Sequence, residues 1–259
     1  GRKIQLVGPW SHIGQWCWPA VKGYDIAKAY HLMLKHGMNY GRLHGQPYPK
    51  YFYDTADEVG FLLVAESGLF HRPIADISLD HIRNMALTLR NHPSVVAWSG
   101  SNEFEHWITP RPEPAMDFLI KVYDTFKSVD PTRPVYHSGF GDARNHFDAY
   151  NIHYPELMRT YPQGVLWKAY APERIKLLHR HTFASYNPIG KKPIFIGEHM
   201  TPGRGRGMEA LLGEAHFKLQ YQDNQKAYRD LLTNQGKVWA DMVRVYRDQN
   251  IAMLSPNMM

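Results

Sequence analysis

Two short apolar segments, each followed by a glutamate, constrain the fold of this chain more than any other feature. The first, Ser94–Trp98, is rich in β-branched residues and follows a proline turn, so it is predicted to be a buried strand. Asn102 and Glu103 follow it, although a solvated pair in a surface loop explains this stretch alone equally well. A second apolar run, 192–197, ends in Glu198. Because α/β barrels hold their chemistry at the C-terminal ends of their strands, the two glutamates are predicted to meet there.

Two carboxylates at one end of a barrel are the groups that cleavage of a glycosidic bond requires. One carboxyl group acts as the acid and base, and the other acts as the nucleophile or activates a water molecule. Glu103 and Glu198 are far apart in the sequence, so any partnership between them depends on the fold and not on local spacing.

Strand and helix patterns alternate along the whole chain and predict a (β/α)₈ barrel, an α/β fold that typically needs about 250 residues. The chain has 259 residues. Besides the two strands above, strands are predicted at 4–7, 38–43, 61–65, 135–138, 149–153 and 251–254. Helices are predicted from Ile26, from Pro49, from Ser78, from Pro114 and around 172–184, with Gly37 and Gly60 ending the first two.

Several segments, in register, resemble glycoside hydrolase family 2, the β-galactosidase, β-glucuronidase and β-mannosidase family. They are Met38–His44, Pro49–Glu66, Asn91–Glu103, Asp130–Val135 and Lys192–Glu198. The resemblance implies a single catalytic barrel over residues 1–259. Family members usually carry β-sandwich domains before the barrel, so we expect the chain to be cut from a longer one.

The resemblance also implies a retaining β-glycosidase and gives its residues roles. Glu103 would be the acid/base, Glu198 the nucleophile, and Asn102 the partner of the sugar 2-hydroxyl. Further substrate-site residues are expected at Arg42, His44, His153, Tyr154 and Trp107; Arg42 and His44 would also brace the nucleophile, and Tyr154 would orient it. Structural readings stay open for three of them: a strand-end cap for Asn102, a rim aromatic for Tyr154 and a structural ion pair for Arg42.

One departure from the family pattern supports a rival interpretation, a catalytically idle barrel that only binds carbohydrate. The family commonly has an aromatic residue after the eighth strand, where this chain reads Leu254-Ser255-Pro256-Asn257-Met258-Met259. Both glutamates are present, which favours the enzyme.

Other polar and aromatic residues at strand ends are weaker candidates. His12, Glu66 and His71 could touch substrate, but supporting or rim positions are favoured for them. Trp10, Trp16 and Trp18 could stack on sugar faces or pack in the core. The 15 histidines and one cysteine show no spacing typical of a metal site, so no metal or other cofactor is predicted.

The formal charge of +6 admits nucleic acid or an anionic substrate. The basic residues are scattered and form no nucleic-acid-binding motif, so carbohydrate is the expected partner and nucleic acid is not. We hypothesise a uronate or sulfated sugar, although solvated arginines are the simpler explanation; the arginines concerned are Arg42, Arg72, Arg111, Arg144, Arg204 and Arg206. No segment has the length of a membrane span or the pattern of a signal peptide, and the compartment stays open, with a periplasmic or secreted location favoured for a polysaccharide-degrading enzyme.

Overall fold

The architecture was obtained from a computed structural model of the protein. The structure describes residues 4–11, 25–69, 77–103, 113–139, 142–153, 192–199, 243–244 and 251–256. The strands in these ranges are β1 (Leu6–Val7), β2 (Trp10–Ser11), β3 (Tyr40–Leu43), β4 (Leu62–Glu66), β5 (Val95–Asn102), β6 (Val135–Ser138), β7 (Tyr150–His153), β8 (Ile194–His199) and β9 (Met253–Pro256). The helices are α1 (Ile26–Lys35), α2 (Lys50–Val59), α3 (Ile77–Leu89) and α4 (Glu113–Val129).

The ends of the first two helices follow from local chemistry. Asp25 caps α1, because its carboxylate accepts a hydrogen bond from the Lys28 backbone N–H at 2.9 Å. Gly37 and Gly60, the two predicted helix-ending glycines, both have a φ of 78°. Glycine adopts this left-handed conformation without steric cost, so the chain can leave each helix and turn into the next strand.

The strands are all parallel and follow one another around a ring. Within the ring β3, β4, β5 and β6 pair in sequence order, and β7 pairs with β8, which pairs with β9. The first strand of the barrel is split: β1 pairs with β9, whereas β2 pairs with β3. Gly8 lies at the split, where a Cβ atom would come within 1.7 Å of the Tyr40 carbonyl oxygen, so a larger residue cannot be accommodated there.

Side chains and loop backbone join β6 to β7, which lie side by side. The Gly139 N–H donates to Asn151 Oδ1 at 2.9 Å, and Ser138 Oγ is 2.9 Å from His153 Nε2. The ring of eight strand positions is therefore the predicted (β/α)₈ barrel.

Several elements of the structure differ from the sequence prediction. The described part of the connection from β6 to β7 holds a 3-10 turn at Ala143–Asn145, where the regular alternation predicted an α-helix. Strand β5 continues to Asn102, beyond the predicted end at Trp98, because Ser99 and Asn102 pair with β6. Strand β9 begins at Met253, two residues later than predicted. The helix predicted around 172–184 lies outside the described residues.

The core has two layers, and the inner one determines where the site lies. Residues between the strands and the helices form the outer layer, including Phe52, Trp98 and Phe126. The inner layer fills the barrel and takes residues from around the ring: Leu6, Tyr40, Val64, Ala97, Tyr136, Ala149, Phe195 and Met253. None of the described helices combines the length and apolar character that crossing a membrane requires.

Candidate active site

The candidate site is the next layer of inward-facing side chains, directly above the apolar filling of the barrel. Strand residues two apart point to the same side, so Arg42 lies above Tyr40, Glu66 above Val64, and Ser138 above Tyr136. All three upper residues are 0% exposed. The ring thus changes from apolar to charged side chains at the C-terminal ends of its strands.

A buried ion pair between Arg42 and Glu66 is the centre of this layer. Arg42 Nε lies 2.7 Å from Glu66 Oε2, and Arg42 Nη2 donates to Glu66 Oε1 at 3.1 Å. Glu66 also accepts from the Gly45 N–H at 2.6 Å and from Ser99 Oγ at 2.7 Å, and His44 Nδ1 is 3.0 Å from its Oε1. Burial opposes the charge of Glu66, yet Arg42 and His44 outweigh burial and hold the pKa of Glu66 well below its ordinary value.

Arg42 also binds the carboxylate of Glu198 at the end of β8. Its Nη1 group lies 2.9 Å from Glu198 Oε1 and donates to the Gly197 carbonyl oxygen at 3.0 Å. Burial disfavours the guanidinium charge, but Glu66 and Glu198 together hold the pKa of Arg42 well above its ordinary value. One cation therefore bridges two buried carboxylates.

Asn102 lies on the other side of the same guanidinium group. Its Oδ1 accepts a hydrogen bond from Arg42 Nη2 at 2.5 Å, and the residue is 1% exposed. Because Oδ1 faces Arg42, the Asn102 side-chain NH₂ group is directed elsewhere in the site.

Glu103 is held in an uncommon backbone conformation just past the end of β5. Its φ is 47°, and its N–H donates to the Ser138 carbonyl oxygen at 2.7 Å. A non-glycine residue with positive φ costs about 1–3 kcal/mol and is frequent at functional sites. Glu103 is 8% exposed, compared with 1% for Glu198.

Three ionisable groups meet where the ends of β5, β7 and β8 converge. One carboxylate oxygen of Glu103, one of Glu198 and a ring nitrogen of His153 all lie within 4.8 Å of one another. Within the described part of the chain this is the one set with the spacing of metal ligands. Since Glu198 is paired with Arg42, and His153 also contacts Ser138, we do not identify these residues as metal ligands.

The structure thus brings together six of the eight residues that the sequence singled out: Glu103, Glu198, Asn102, Arg42, His44 and His153. Tyr154 and Trp107 lie outside the described residues, as do His12, His71, Trp16 and Trp18. Of Trp10 only the backbone is described, in β2. Arg144, one of the arginines suggested for an anionic substrate, forms an exposed ion pair with Asp117.

Of two residues that support Arg42, the sequence singled out only one. Glu66 was expected in a supporting or rim position, and it is completely buried and supports Arg42 as its ion-pair partner. Ser99, which donates to Glu66, was not singled out at all. The signal for Glu66 was present, because its strand also ends in a glutamate. Ser99 lies beside Glu66 because the two are partners in the pairing of β4 with β5, and a single sequence does not reveal that register.

Comparisons with known proteins agree with this fold. Residues 72–238, more than half of the chain, match the family described as glycosyl hydrolases family 2, TIM barrel domain. A β-galactosidase of Staphylococcus xylosus is 27% identical over 192 residues, which are 64% of this chain and 17% of that protein. A β-glucuronidase of Canis lupus familiaris is 30% identical over 125 residues, which are 44% of this chain and 19% of that protein.

A solved structure extends the likeness to nearly the whole chain. The β-glucuronidase of Lactobacillus rhamnosus matches 98% of this chain and 43% of its own, with a TM-score of 0.64 and 21% sequence identity. At that identity the likeness shows the fold alone. This chain spans less than a fifth of either curated relative.

Proposed function

Since the chain belongs to glycosyl hydrolase family 2, we propose that it is a retaining β-glycosidase in which Glu103 is the acid/base and Glu198 the nucleophile. The observation that carries the proposal is the approach of these two carboxylates, whose nearest oxygens lie within 4.8 Å of each other. Retaining glycosidases hold the two carboxyl groups about 5–5.5 Å apart, whereas inverting enzymes need about 6.5–9.5 Å to admit water. The short separation supports retention.

The surroundings of the glutamates support this division of roles. A nucleophile must be ionised to attack the anomeric carbon, and Glu198 forms an ion pair with the Arg42 guanidinium at 2.9 Å. An acid/base has to be protonated first and ionised later. The described contact of the Glu103 carboxylate is with His153, a group that can donate a hydrogen bond without imposing a permanent charge.

The reaction then runs in two steps. In the first, Glu198 attacks the anomeric carbon while Glu103 gives its proton to the departing glycosidic oxygen, leaving a covalent glycosyl–enzyme ester. In the second, Glu103 takes a proton from water as the water oxygen attacks the same carbon, and the Glu198 carboxylate leaves. Two inversions give net retention of the β-configuration.

Asn102 is proposed to hold the sugar 2-hydroxyl, a contact that strengthens as positive charge develops on the sugar ring. Its hydrogen bond from Arg42 supports this role, because it fixes the amide so that the NH₂ group can donate to a hydroxyl. His44 lies beside Glu198, with its Nδ1 at 3.8 Å from Glu198 Oε1, and is proposed to lie at the edge of the same subsite.

The charge of the substrate is the finer part of the proposal. Arg42 and Arg144 are already paired with protein carboxylates, so recognition of a uronate or sulfated sugar rests on Arg72, Arg111, Arg204 and Arg206. A clean test compares 4-nitrophenyl β-glucuronide with the β-glucoside, since the two differ only at C6. An anionic site should favour the glucuronide and should lose that preference as salt is raised. Equal KM values for the two substrates that do not change with salt would contradict the proposal of an anionic substrate.

The reaction class is tested by turnover of aryl β-glucuronides, glucosides, galactosides and mannosides, with the first-formed anomer identified by proton NMR. We expect hydrolysis of at least one of them with release of the β-anomer. Glu198→Gln should abolish it and Glu103→Gln should slow it strongly, whereas Glu58→Gln, an exposed glutamate on α2, is the matched control and should do neither. A first-formed α-anomer would contradict retention. Binding without turnover would favour the idle carbohydrate-binding barrel.

A further inference from the structure

His153 lies between the two carboxylates and faces protein groups through both ring nitrogens. It ends β7 and is 0% exposed. Its Nδ1 is 3.2 Å from Glu103 Oε1 and 3.8 Å from Glu198 Oε1, and its Nε2 is 2.9 Å from Ser138 Oγ. The sequence suggested a contact with the sugar, but this geometry directs the ring at the acid/base.

The contacts favour one tautomer of the neutral ring. An unprotonated Nδ1 would direct its lone pair at two carboxylates, whereas a protonated Nδ1 donates to them. With the proton on Nδ1, Nε2 becomes an acceptor and Ser138 Oγ–H is its donor. Among the residues that the structure describes, the charged groups near the ring include Glu103 from β5 and Glu198 from β8, with Arg42 from β3 beyond Glu198.

Packing against β8 holds the ring in this position. A Cβ atom on Gly197 would lie 2.8 Å from His153 Nε2 and 2.7 Å from Asn151 Nδ2, closer than side-chain contacts allow. Only glycine at position 197, directly before Glu198, leaves room for the His153 imidazole to pack this closely against β8. This contact is independent of the hydrogen bonds and supports a fixed ring orientation.

We propose that His153 is a positioning residue for Glu103, with its Nδ1 proton donated to the Glu103 carboxylate and its tautomer set by Ser138. The inference rests on the proposed function. When Glu103 gives its proton to the departing oxygen, the negative charge left on its carboxylate meets the Nδ1–H group. The same bond orients the carboxylate to receive a proton from water in the second step. The ring itself neither gains nor loses a proton.

The chain offers a matched pair of variants at this position and a matched control nearby. His153→Asn keeps a donor close to the place of Nδ1, whereas His153→Leu removes it. Ser101 and His137 form another buried serine–histidine pair, with Oγ at 3.0 Å from Nδ1, on the neighbouring strands β5 and β6. His137 and Ser138 are consecutive in β6, so their side chains point to opposite sides of the strand.

We expect His153→Leu to lower kcat/KM by about 10- to 100-fold, the range for a hydrogen bond to a charged group. The loss should be larger for poor leaving groups, and the alkaline limb of the pH profile should move to higher pH, because the ionised form of Glu103 loses a donor. His153→Asn should recover most of the activity, and Ser138→Ala should show a smaller loss. The control variants His137→Asn and Ser101→Ala should not move the alkaline limb of the pH profile. A folded His153→Leu protein with an unmoved limb and only a raised KM would make His153 a sugar contact and overturn the proposal.

A second measurement does not depend on turnover. Nitrogen-15 NMR of histidine-labelled protein, with His153 assigned by difference from His153→Asn, reports which ring nitrogen carries the proton. We expect a protonated Nδ1 and an unprotonated Nε2 near neutral pH. A proton on Nε2 alone, or on both nitrogens, would overturn the proposal. Absence of turnover in the wild-type chain would instead defeat the proposed function and leave this tautomer test intact.

Discussion

Glu198 and Glu103 end two strands of one barrel, yet their surroundings differ in charge, burial and backbone conformation. Glu198 is 1% exposed and paired with Arg42 at 2.9 Å. Glu103 is 8% exposed, has a φ of 47°, and lies 3.2 Å from the His153 ring. The same side chain at equivalent strand ends therefore lies beside a permanent cation in one case and beside an imidazole ring in the other.

Glu66, the third glutamate at a strand end, extends this comparison. It accepts hydrogen bonds from Arg42, Ser99 and the Gly45 backbone, and it is 0% exposed. A buried carboxylate with this many hydrogen bonds is poorly placed to react with substrate. It holds the Arg42 side chain in place, and Arg42 in turn holds Glu198, the proposed nucleophile. The three glutamates therefore differ in role because of the side chains around them, and not only because of their positions at strand ends.

Removing the Glu198 carboxylate should have the largest effect. Glu198→Gln keeps the shape but cannot form the ester, so kcat/KM should fall by at least about 10⁴-fold for every leaving group. Steady-state assays with two aryl glycosides of one sugar, differing in leaving group, provide the measurement. A loss of activity confined to the substrate with the poorer leaving group would indicate that Glu198 is the acid. The roles assigned to Glu198 and Glu103 would then be exchanged.

Removing Glu103 should give a smaller and more selective effect. Glu103→Ala should slow cleavage of substrates with poor leaving groups by about 10²- to 10⁴-fold, because these need a proton. Substrates with very good leaving groups should still form the glycosyl–enzyme, which then breaks down slowly. Added azide should restore breakdown and yield a β-glycosyl azide. An α-glycosyl azide would mean that azide occupies the nucleophile's cavity and that the two roles are exchanged.

Removing the shared cation should affect stability as well as rate. Arg42→Met leaves Glu66 and Glu198 buried without their cation, and breaking such a pair costs about 3–5 kcal/mol of the free energy of unfolding. Urea titration followed by circular dichroism measures this. Lys50→Met, which breaks the exposed Lys50–Asp54 pair, is the control and should change stability by less than about 1 kcal/mol. Equal effects of the two variants would contradict the central place of Arg42.

The smallest expected effect is a pH dependence that originates at Glu66. Its folded-state pKa lies below the unfolded value of about 4.3, so its stabilising contribution is complete above that pH and is lost as the pH falls. We expect the free energy of unfolding to decline on the acid side, and Glu66→Gln to flatten that decline while lowering stability near neutral pH by about 2 kcal/mol. An unchanged acid slope in this variant would assign the dependence to other carboxylates.

Strand positions were predictable because apolar runs between turn residues carry their own signal. The strand Val135–Ser138 has the predicted bounds, and the positions of Glu103 and Glu198 at strand ends follow from the same reasoning. The 3-10 turn at Ala143–Asn145 was not predictable, since Arg144 and Asn145 adopt positive φ values without being glycine. Long-range contacts stabilise that turn: Lys192 donates to the Asn145 carbonyl oxygen at 2.9 Å and pairs with Asp142 at 2.6 Å.

The members of the site were predictable in kind but not in arrangement. The pattern at strand ends identified the two catalytic candidates and the family resemblance identified Arg42, but neither could show that Arg42 divides its donors among Glu66, Glu198 and Asn102. Nor could it show that His153 faces Glu103, because that contact depends on how β7 lies beside β6. Spacing along one strand determines which side a residue faces, whereas contacts across the barrel depend on the stagger of the strands around the ring.

Covalent trapping tests the central claim most directly. A 2-deoxy-2-fluoro aryl β-glycoside of the preferred sugar, with a very good leaving group, should form an ester that breaks down slowly. Peptide mapping by mass spectrometry should then find one added fluorosugar on Glu198, and Glu198→Gln should take up none. A label on Glu103, or steady turnover of natural substrates with inversion and no label, would contradict the assignment of Glu198 as the nucleophile of a retaining enzyme.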